Sequence, residues 1–331
     1  MYMLDRFAAL LDSRDRFLLT AHENPDGDAI GALVGLAHYL RNCGKAVRIV
    51  ISPELPEYLR FLDTEGWVEV FGDAHADLAA WPETWLLVDA SEPQRLGQML
   101  GAFLASNAMK VCLDHHLTEN PMGFDHAFVD SSASASAELV YDLASSRMAL
   151  PMPMAQALYA GMADDTGNFR FSNATPRIHR FAAELIEVGV DPAATYQALY
   201  HQGRPERLKL FGRAFESMRF LDQGRYATTL VTQADMDACL AVKEDMEGLV
   251  NKALEIRGVE VSCLMYELPD GHYKVGLRSR GRVNVNAVCR QLGGGGHKLA
   301  SGAKVDGPAK AAQTRVDTLV VSQITFDLST T

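Results

Sequence analysis

The chain has 331 residues, 48% hydrophobic and 22% charged, and 31 Lys and Arg against 42 Asp and Glu give a net charge of −11. That length suits two domains, and the composition is that of an ordinary globular protein, which excludes a disordered chain. The acidic balance disfavours broad binding to long duplexes, and no apolar run reaches the roughly 18 residues that would span a membrane.

In chain order, Met1-Tyr2-Met3-Leu4-Asp5-Arg6 lacks a basic region followed by an apolar core, so no signal peptide is expected. Phe17–Thr20 predicts a strand. Asp28 to Arg41 predicts a helix with apolar or small residues at Ala29, Ile30, Ala32, Leu33, Leu36, Ala37 and Leu40, closed by Gly44. Ala46–Ser52, Trp85–Val88 and Lys110–Leu113 predict three more strands. Alternation of this kind predicts an α/β fold whose N-terminal sheet is mainly parallel, with helices on both faces.

Ser131–Ser136 reads as a helix start whose serines cap a helix from Ala137 to about Arg147. Met152–Met162 reads as a helix leading into an Asp164-Asp165 turn, and Arg177–Gly189 as another helix. Ala193–Phe215 predicts further helix interrupted near Gly203-Arg204-Pro205. Domains are expected at 1–190 and 216–331, with a helical linker over 191–215. The C-terminal part is expected to be a smaller α/β domain. Tyr226–Val231, Val259–Glu267 and Tyr273–Arg278 predict its strands, Asp235–Ile256 a mostly helical stretch and Val285–Leu292 a helix, followed by Gly293-Gly294-Gly295-Gly296-His297. The cysteines at 43, 112, 239, 263 and 289 are odd in number and lack CxxC spacing, which predicts reduced thiols and a cytoplasmic location.

The chemistry concentrates where strands should end. His22 and the Asp26-Gly27-Asp28 segment follow the first strand, Asp89 follows Trp85–Val88, Asp114-His115-His116 ends Lys110–Leu113, and Asp164-Asp165 lies further on. Loops at the carboxyl ends of parallel strands are where open α/β sheets bind ligands. Taken singly, Asp28 could cap a helix, Asp89 and Asp164-Asp165 could be turn residues, and either histidine could be structural. Taken together they form a cluster of carboxylates whose mutual repulsion two divalent metals would remove, giving a phosphoryl-transfer site. Mixed oxygen and imidazole donors point to Mn²⁺ first, then to Mg²⁺, Fe²⁺ or Co²⁺.

These residues resemble, in order, the four motifs of the DHH phosphoesterases: His22-x-x-Pro25-Asp26-x-Asp28, Asp89, Asp114-His115-His116 and Asp165-Thr166-Gly167-x-Phe169. The glycine-histidine run with Ala300-Ser301-Gly302 resembles the DHH-associated C-terminal domain. Within that superfamily the chain is most similar to the bifunctional oligoribonuclease and pAp phosphatase (nanoRNase) type. The resemblance implies that His22, Asp26, Asp89 and Asp165 hold one metal and Asp28, Asp89, His115 and Asp165 the other. It implies His116 toward the phosphoryl group and Asp114 supporting the histidines. Attack on phosphorus by a hydroxide shared between two metals is the expected mechanism.

From Gly271 to Lys304 the chain has no Asp or Glu but carries Lys274, Arg278, Arg280, Arg282, Arg290, Lys298 and Lys304. A solvated face would account for this, as would a site for a small anion. Gly293, Gly294, Gly295 and Gly296 can form a backbone nest for phosphate, with His297 and Arg278 adding charge, and Ser279, Arg280 and Arg282 as further contacts. Expected partners are short RNA or DNA oligonucleotides, linear dinucleotides and pAp, held in a cleft too small for a long polyanion. No membrane partner is expected, and the oligomeric state is left open, a homodimer included. The rival readings are a manganese inorganic pyrophosphatase, a long-chain single-strand exonuclease of the RecJ type, and a nucleotide-binding regulator with a structural metal cluster.

Overall fold

The structure, a computed structural model, describes residues 3–75, 77–117 and 121–329, and all counts below refer to these. Its contacts divide the chain into two units, Met1–Gln202 and Gly203–Thr331. The stretch 191–215 therefore holds one helix from each.

The first unit runs α1 (Met3–Asp12), β1 (Arg16–Thr20), α2 (Gly27–Asn42), β2 (Ala46–Ile51), β3 (Val68–Val70), β4 (Thr84–Val88), α3 (Leu100–Ala105), β5 (Met109–Asp114) and β6 (His126–Val129). Helices α4 (Ser136–Ser145), α5 (Met152–Asp165), α6 (Pro176–Val188) and α7 (Pro192–Tyr200) follow. The six strands form one sheet in the order β3-β2-β1-β4-β5-β6, and every pairing is parallel. The chain winds outward from β1 to β3, then returns to the other side of β1 at β4. Strands β1 and β4 thus flank the switch point, where connections leave in opposite directions and open a crevice at the carboxyl ends.

Both faces of this sheet are covered, as the near-continuous apolar runs require. Phe17, Leu19, Leu86 and Val88 pack on the side of α2, α4 and α5, while Leu18, Trp85 and Leu87 pack on the other side with Leu96, Met99 and Phe103. Helices α2 and α5 approach closely because both carry glycine at the contact. A Cβ on Gly31 would lie 2.4 Å from the Ala157 carbonyl oxygen, and one on Gly161 would lie 2.7 Å from Ala137 Cβ. This draws α2, α4 and α5 together at the ends that face the crevice.

The second unit contains α8 (Pro205–Glu216), β7 (Arg219–Leu221), β8 (Tyr226–Val231), α9 (Gln233–Cys239), α10 (Leu249–Lys252), β9 (Val261–Glu267), β10 (Tyr273–Ser279), α11 (Val285–Gln291), β11 (Gly295–Gly296), β12 (Ala300–Val305) and α12 (Ala309–Ser329). Its sheet has the order β11-β12-β10-β9-β8-β7, antiparallel except for the parallel pair β8 and β9. Helix α12 seats Ala312, Val316, Val320 and Ile324 in the core, and Asp317 accepts hydrogen bonds from the Tyr226 hydroxyl at 2.9 Å and Arg219 at 2.8 Å. No helix among the described residues is long and apolar enough to cross a membrane.

Two expectations need correction. The stretch 235–256 is mostly helical as expected, but Leu240 and Gly248 take left-handed backbone and break it into α9, α10 and short 3-10 turns. Asp164 and Asp165 are the last turn of α5, not a turn beyond it. The glycine run is not all loop, since Gly295 and Gly296 pair with Gly302 and Ser301.

Candidate functional site

The predicted ligands of the first unit do converge at the switch point. His22 follows β1, Asp26 and Asp28 open α2, Asp89 follows β4, His115 follows β5 and Asp165 ends α5. Asp89 sits at φ 62°, a left-handed conformation that Asp tolerates better than most residues. That turn carries its carboxylate between two imidazoles. His22 Nε2 is 3.4 Å from Asp89 Oδ2, and His115 Nε2 is 3.4 Å from Asp89 Oδ1. His115 Nε2 also lies 3.4 Å from Asp165 Oδ2 and 3.8 Å from Asp28 Oδ2, and His22 Nε2 is 3.9 Å from Asp26 Oδ2.

Tautomers follow from the other ring nitrogens. His22 Nδ1–H donates to the Glu23 carbonyl at 3.0 Å, and His115 Nδ1–H points to the Ala133 carbonyl at 3.4 Å. In the neutral rings each Nε2 then carries a lone pair aimed at carboxylate oxygens. His115 Nε2 is buried with no hydrogen-bond partner. Donor atoms of His22, Asp26 and Asp89 lie within 4.8 Å of one another, as do those of Asp28, His115 and Asp165, and those of Asp89, His115 and His116. Lone pairs facing carboxylates at such spacings repel unless a proton or a cation lies between them. Imidazole and carboxylate donors of this kind fit divalent cations bound at about 2.0–2.2 Å.

The electrostatics agree. Burial pushes the Asp28 carboxyl well above its usual range, helped by Asp89, Asp165 and Asp26. Burial likewise raises Asp165, to about 6, with His115 opposing. Burial would lower His115, but the carboxylates of Asp89 and Asp165 outweigh it and raise the imidazole to about 9. Asp89 is also buried, yet the two histidines hold its carboxyl below the ordinary value. Without a metal, then, this cluster retains protons that a cation would displace.

His116 behaves differently from its neighbour. Its Nδ1 is 2.8 Å from Asp114 Oδ1, which also accepts from the backbone N–H of His115 and of His116. With Nδ1 committed and the side chain 40% exposed, Nε2 is the nitrogen left to face a substrate. Asp114 is fully buried, so its contact with His116 fixes the ring.

Helix capping differs from the sequence expectation. Asp26, not Asp28, caps α2, accepting from Ala29 N–H at 3.0 Å. Asp28 instead accepts from the first N–H groups of α4, Ser136 at 2.6 Å and Ala137 at 2.9 Å. The serines of 131–136 do not cap α4; Ser136 Oγ donates to Asp89 Oδ1 at 2.9 Å. Asp164 Oδ2 accepts from Gly27 N–H at 2.8 Å, which seats the start of α2. Sequence reasoning misses Ser136 because its partners lie 108 and 47 residues away. Only a small polar residue opening a mostly buried helix hints at it.

In the second unit, Arg278 pairs in register with Ala300 on β12, beside the hairpin of β11 and β12. Its Nη1 donates to its neighbour's carbonyl, Leu277 O, at 3.1 Å, and no acidic partner is found among the described residues. Arg282 is bound instead to Glu260, Arg280 to the carbonyls of Leu254 and Ile256, and Lys304 to Asp270. Ser279 Oγ accepts from Gly281 and Val283 N–H at 3.2 Å each, so it shapes the following turn.

The glycine run is not an open nest: Gly293 and Gly294 N–H close α11 on the carbonyls of Arg290 and Cys289. Two of its glycines are required by contact. A Cβ on Gly294 would meet Gly302 O at 2.1 Å, and Gly296 has φ +138° with Ala300 O at 2.7 Å. The result is a tight hairpin that presents His297, whose carbonyl accepts from Ser301 Oγ at 2.6 Å.

Comparison with known proteins agrees with this layout. Residues 16–162 match the DHH family, N-terminal domain, and residues 239–320 match the DHHA1 domain. The chain is 34% identical to a bifunctional oligoribonuclease and PAP phosphatase of Thermus thermophilus, over 87% of this chain and 84% of that one. A Bacillus subtilis protein of the same description is 29% identical, over 88% and 90%. An exopolyphosphatase-related protein from Bacteroides fragilis superposes with TM-score 0.88 at 27% identity, covering 96% and 95% of the two chains.

Proposed function

Because the chain belongs to the DHH family, we propose that it is a metal-dependent phosphoesterase that hydrolyses short oligonucleotides and dinucleotides to nucleoside 5′-monophosphates, and pAp to AMP and phosphate. The observation that carries this reading is His115 Nε2, buried, without a hydrogen bond, and facing Asp28, Asp89 and Asp165. Two relatives whose names describe oligoribonuclease and PAP phosphatase activity, matched over most of both chains, support the substrate class.

His22, Asp26, Asp28, Asp89, His115 and Asp165 would hold two divalent cations, Mn²⁺ first among the candidates. When bound, the cations would activate water and neutralise charge on the phosphoryl oxygens. His116, positioned by Asp114, would donate from Nε2 to a phosphoryl oxygen and stabilise the charge that develops there. Arg278 is assigned to a non-scissile phosphate, with His297 and the glycine hairpin allowing close approach. No side chain in the cluster is placed as a nucleophile, so no covalent phosphoenzyme is expected.

The test is an assay with Mn²⁺ on a ribodinucleotide, pAp, long single-stranded DNA and pyrophosphate. Rapid turnover of the dinucleotide and pAp is expected. Turnover of pyrophosphate alone would overturn the reading, and tight nucleotide binding without any turnover would make the protein a regulator.

A further inference from the structure

Ser136 opens α4 and is fully buried, yet neither its hydroxyl nor its N–H serves α4 itself. Its hydroxyl bonds to Asp89 Oδ1 at 2.9 Å and its N–H to Asp28 Oδ2 at 2.6 Å, while the next N–H, of Ala137, bonds to Asp28 Oδ1 at 2.9 Å. Asp28 lies on α2 and Asp89 follows β4, so one residue of a third element is bonded to two candidate ligands from two others. We propose that Ser136 is a positioning residue for the metal centre: with the Ala137 N–H, it holds the Asp28 and Asp89 carboxylates so that their remaining lone pairs face the cations. This rests on the metal-dependent reading above.

The argument is one of valence. An ionised carboxylate offers about four lone-pair sites on two oxygens. On Asp28 each oxygen gives one site to α4, which fixes the plane of the group and leaves one site per oxygen. On Asp89, Ser136 occupies one site of Oδ1 and leaves Oδ2 toward His22. The start of α4 also turns its positive dipole end to Asp28, which favours the ionised form against burial and like charge.

A purely structural role for Ser136 does not account for these contacts. An ordinary cap would bond N–H groups of its own helix, and the cap position here is Ala135, which has no polar side chain to do so. The segment is itself held in place. Ser134 N–H donates to Glu138 at 2.7 Å and Ser134 Oγ to the Asn173 carbonyl at 2.6 Å, while Asn173 Nδ2 donates to the backbone carbonyl of Asp165 at 3.1 Å. The same anchored segment therefore reaches a third candidate ligand.

The experiment is Mn²⁺ titration calorimetry on the full chain and on Ser136→Ala, with melting curves of both metal-free proteins. Loss of a hydrogen bond to a metal ligand typically weakens metal affinity about 10–100-fold, and that loss is expected here with a cooperative metal-free melt retained. Dinucleotide hydrolysis by the variant should fail at low Mn²⁺ and recover as Mn²⁺ is raised, which a folding defect would not do. Wild-type affinity in Ser136→Ala would overturn the proposal while leaving the metal site standing. Absence of Mn²⁺ binding by the wild type would overturn both. Should the variant not fold, Mg²⁺ titration of the wild type followed by amide NMR decides: the Ser136 and Ala137 amides must shift, and silence there overturns the proposal.

Discussion

Gly31 of α2 faces Ala157 of α5 so closely that a Cβ would lie 2.4 Å from the Ala157 carbonyl oxygen, closer than real Cβ atoms pack. Asp28 and Asp165, from these same two helices, face His115 together. The approach of the helices therefore sets the spacing of these proposed ligands. Gly31→Ala gains about 1 kcal/mol of helix propensity but forces the backbones apart, at about 1–3 kcal/mol. The expected net result is a lower melting temperature and weaker Mn²⁺ binding. A Cβ on Gly212, in α8, would meet nothing within 4 Å, so Gly212→Ala should raise the melting temperature. Equal behaviour of the two variants would refute the packing argument.

Asp89 combines a proposed ligand role with a left-handed backbone, and two substitutions separate them. Asp89→Asn keeps a residue that tolerates φ 62°, whereas Asp89→Ala adds about 1 kcal/mol of backbone strain. Both should lose metal-dependent turnover, by more than the roughly 10–100-fold expected of a supporting residue. Denaturant titration should find the alanine variant the less stable of the two. Retained activity in either would sink the assignment of Asp89 between both metals.

Much of this cluster is legible in the sequence because its candidate ligands follow apolar runs, and an apolar run ending in His or Asp reads directly as a buried strand meeting a loop. Supporting contacts are not legible. Ser136 meets Asp28, and Asp164 meets Gly27, across more than a hundred residues, and no local pattern encodes such pairs. Helix α12 also escapes a local reading, since Val316, Thr318, Val320, Val321, Ile324 and Thr325 are β-branched and argue for a strand. Its spacing of Ala312, Val316, Val320 and Ile324 is the helical signal, and burial against the sheet outweighs the propensity. The glycine run misleads in the opposite sense. Its lack of side chains suggests free N–H groups, but Gly293 and Gly294 commit theirs to α11.

The protonation state of the cluster predicts how metal affinity depends on pH. In the metal-free protein His115 is raised to about 9 and Asp165 to about 6. At pH 7 His115 is therefore protonated and Asp165 mostly ionised. A cation can bind His115 Nε2 only when that proton leaves, so binding releases at least one proton near neutrality, and more where the raised Asp28 carboxyl also holds one. Affinity should rise at least about tenfold per pH unit between roughly 6 and 9 and fall more steeply below 6 as Asp165 also protonates. Calorimetry of Mn²⁺ binding in buffers of different ionisation enthalpy measures the protons released. An affinity constant across pH 6–9 would contradict this.

Arg278 and Arg282 lie four residues apart, and their surroundings predict opposite outcomes. Arg282 is bound through two nitrogens to Glu260, so its charge is already neutralised. Arg278 is half-buried, donates to the Leu277 carbonyl, has no acidic partner among the described residues, and sits beside the hairpin that ends at His297. A guanidinium so placed is available to a phosphate, and charged hydrogen bonds of that kind contribute about 1.5–3 kcal/mol. Arg278→Ala should therefore lower kcat/KM for a dinucleotide by about 10–100-fold, mainly through KM, with Mn²⁺ affinity unchanged. Arg278→Lys should recover only part of the loss, because an ammonium cannot make the bidentate contact. Arg282→Ala should leave KM unchanged and lower stability slightly. Steady-state kinetics of the three variants decide the matter: no KM effect in Arg278→Ala would remove Arg278 from the substrate site, and a KM effect in Arg282→Ala would refute the silence expected of the Glu260 pair.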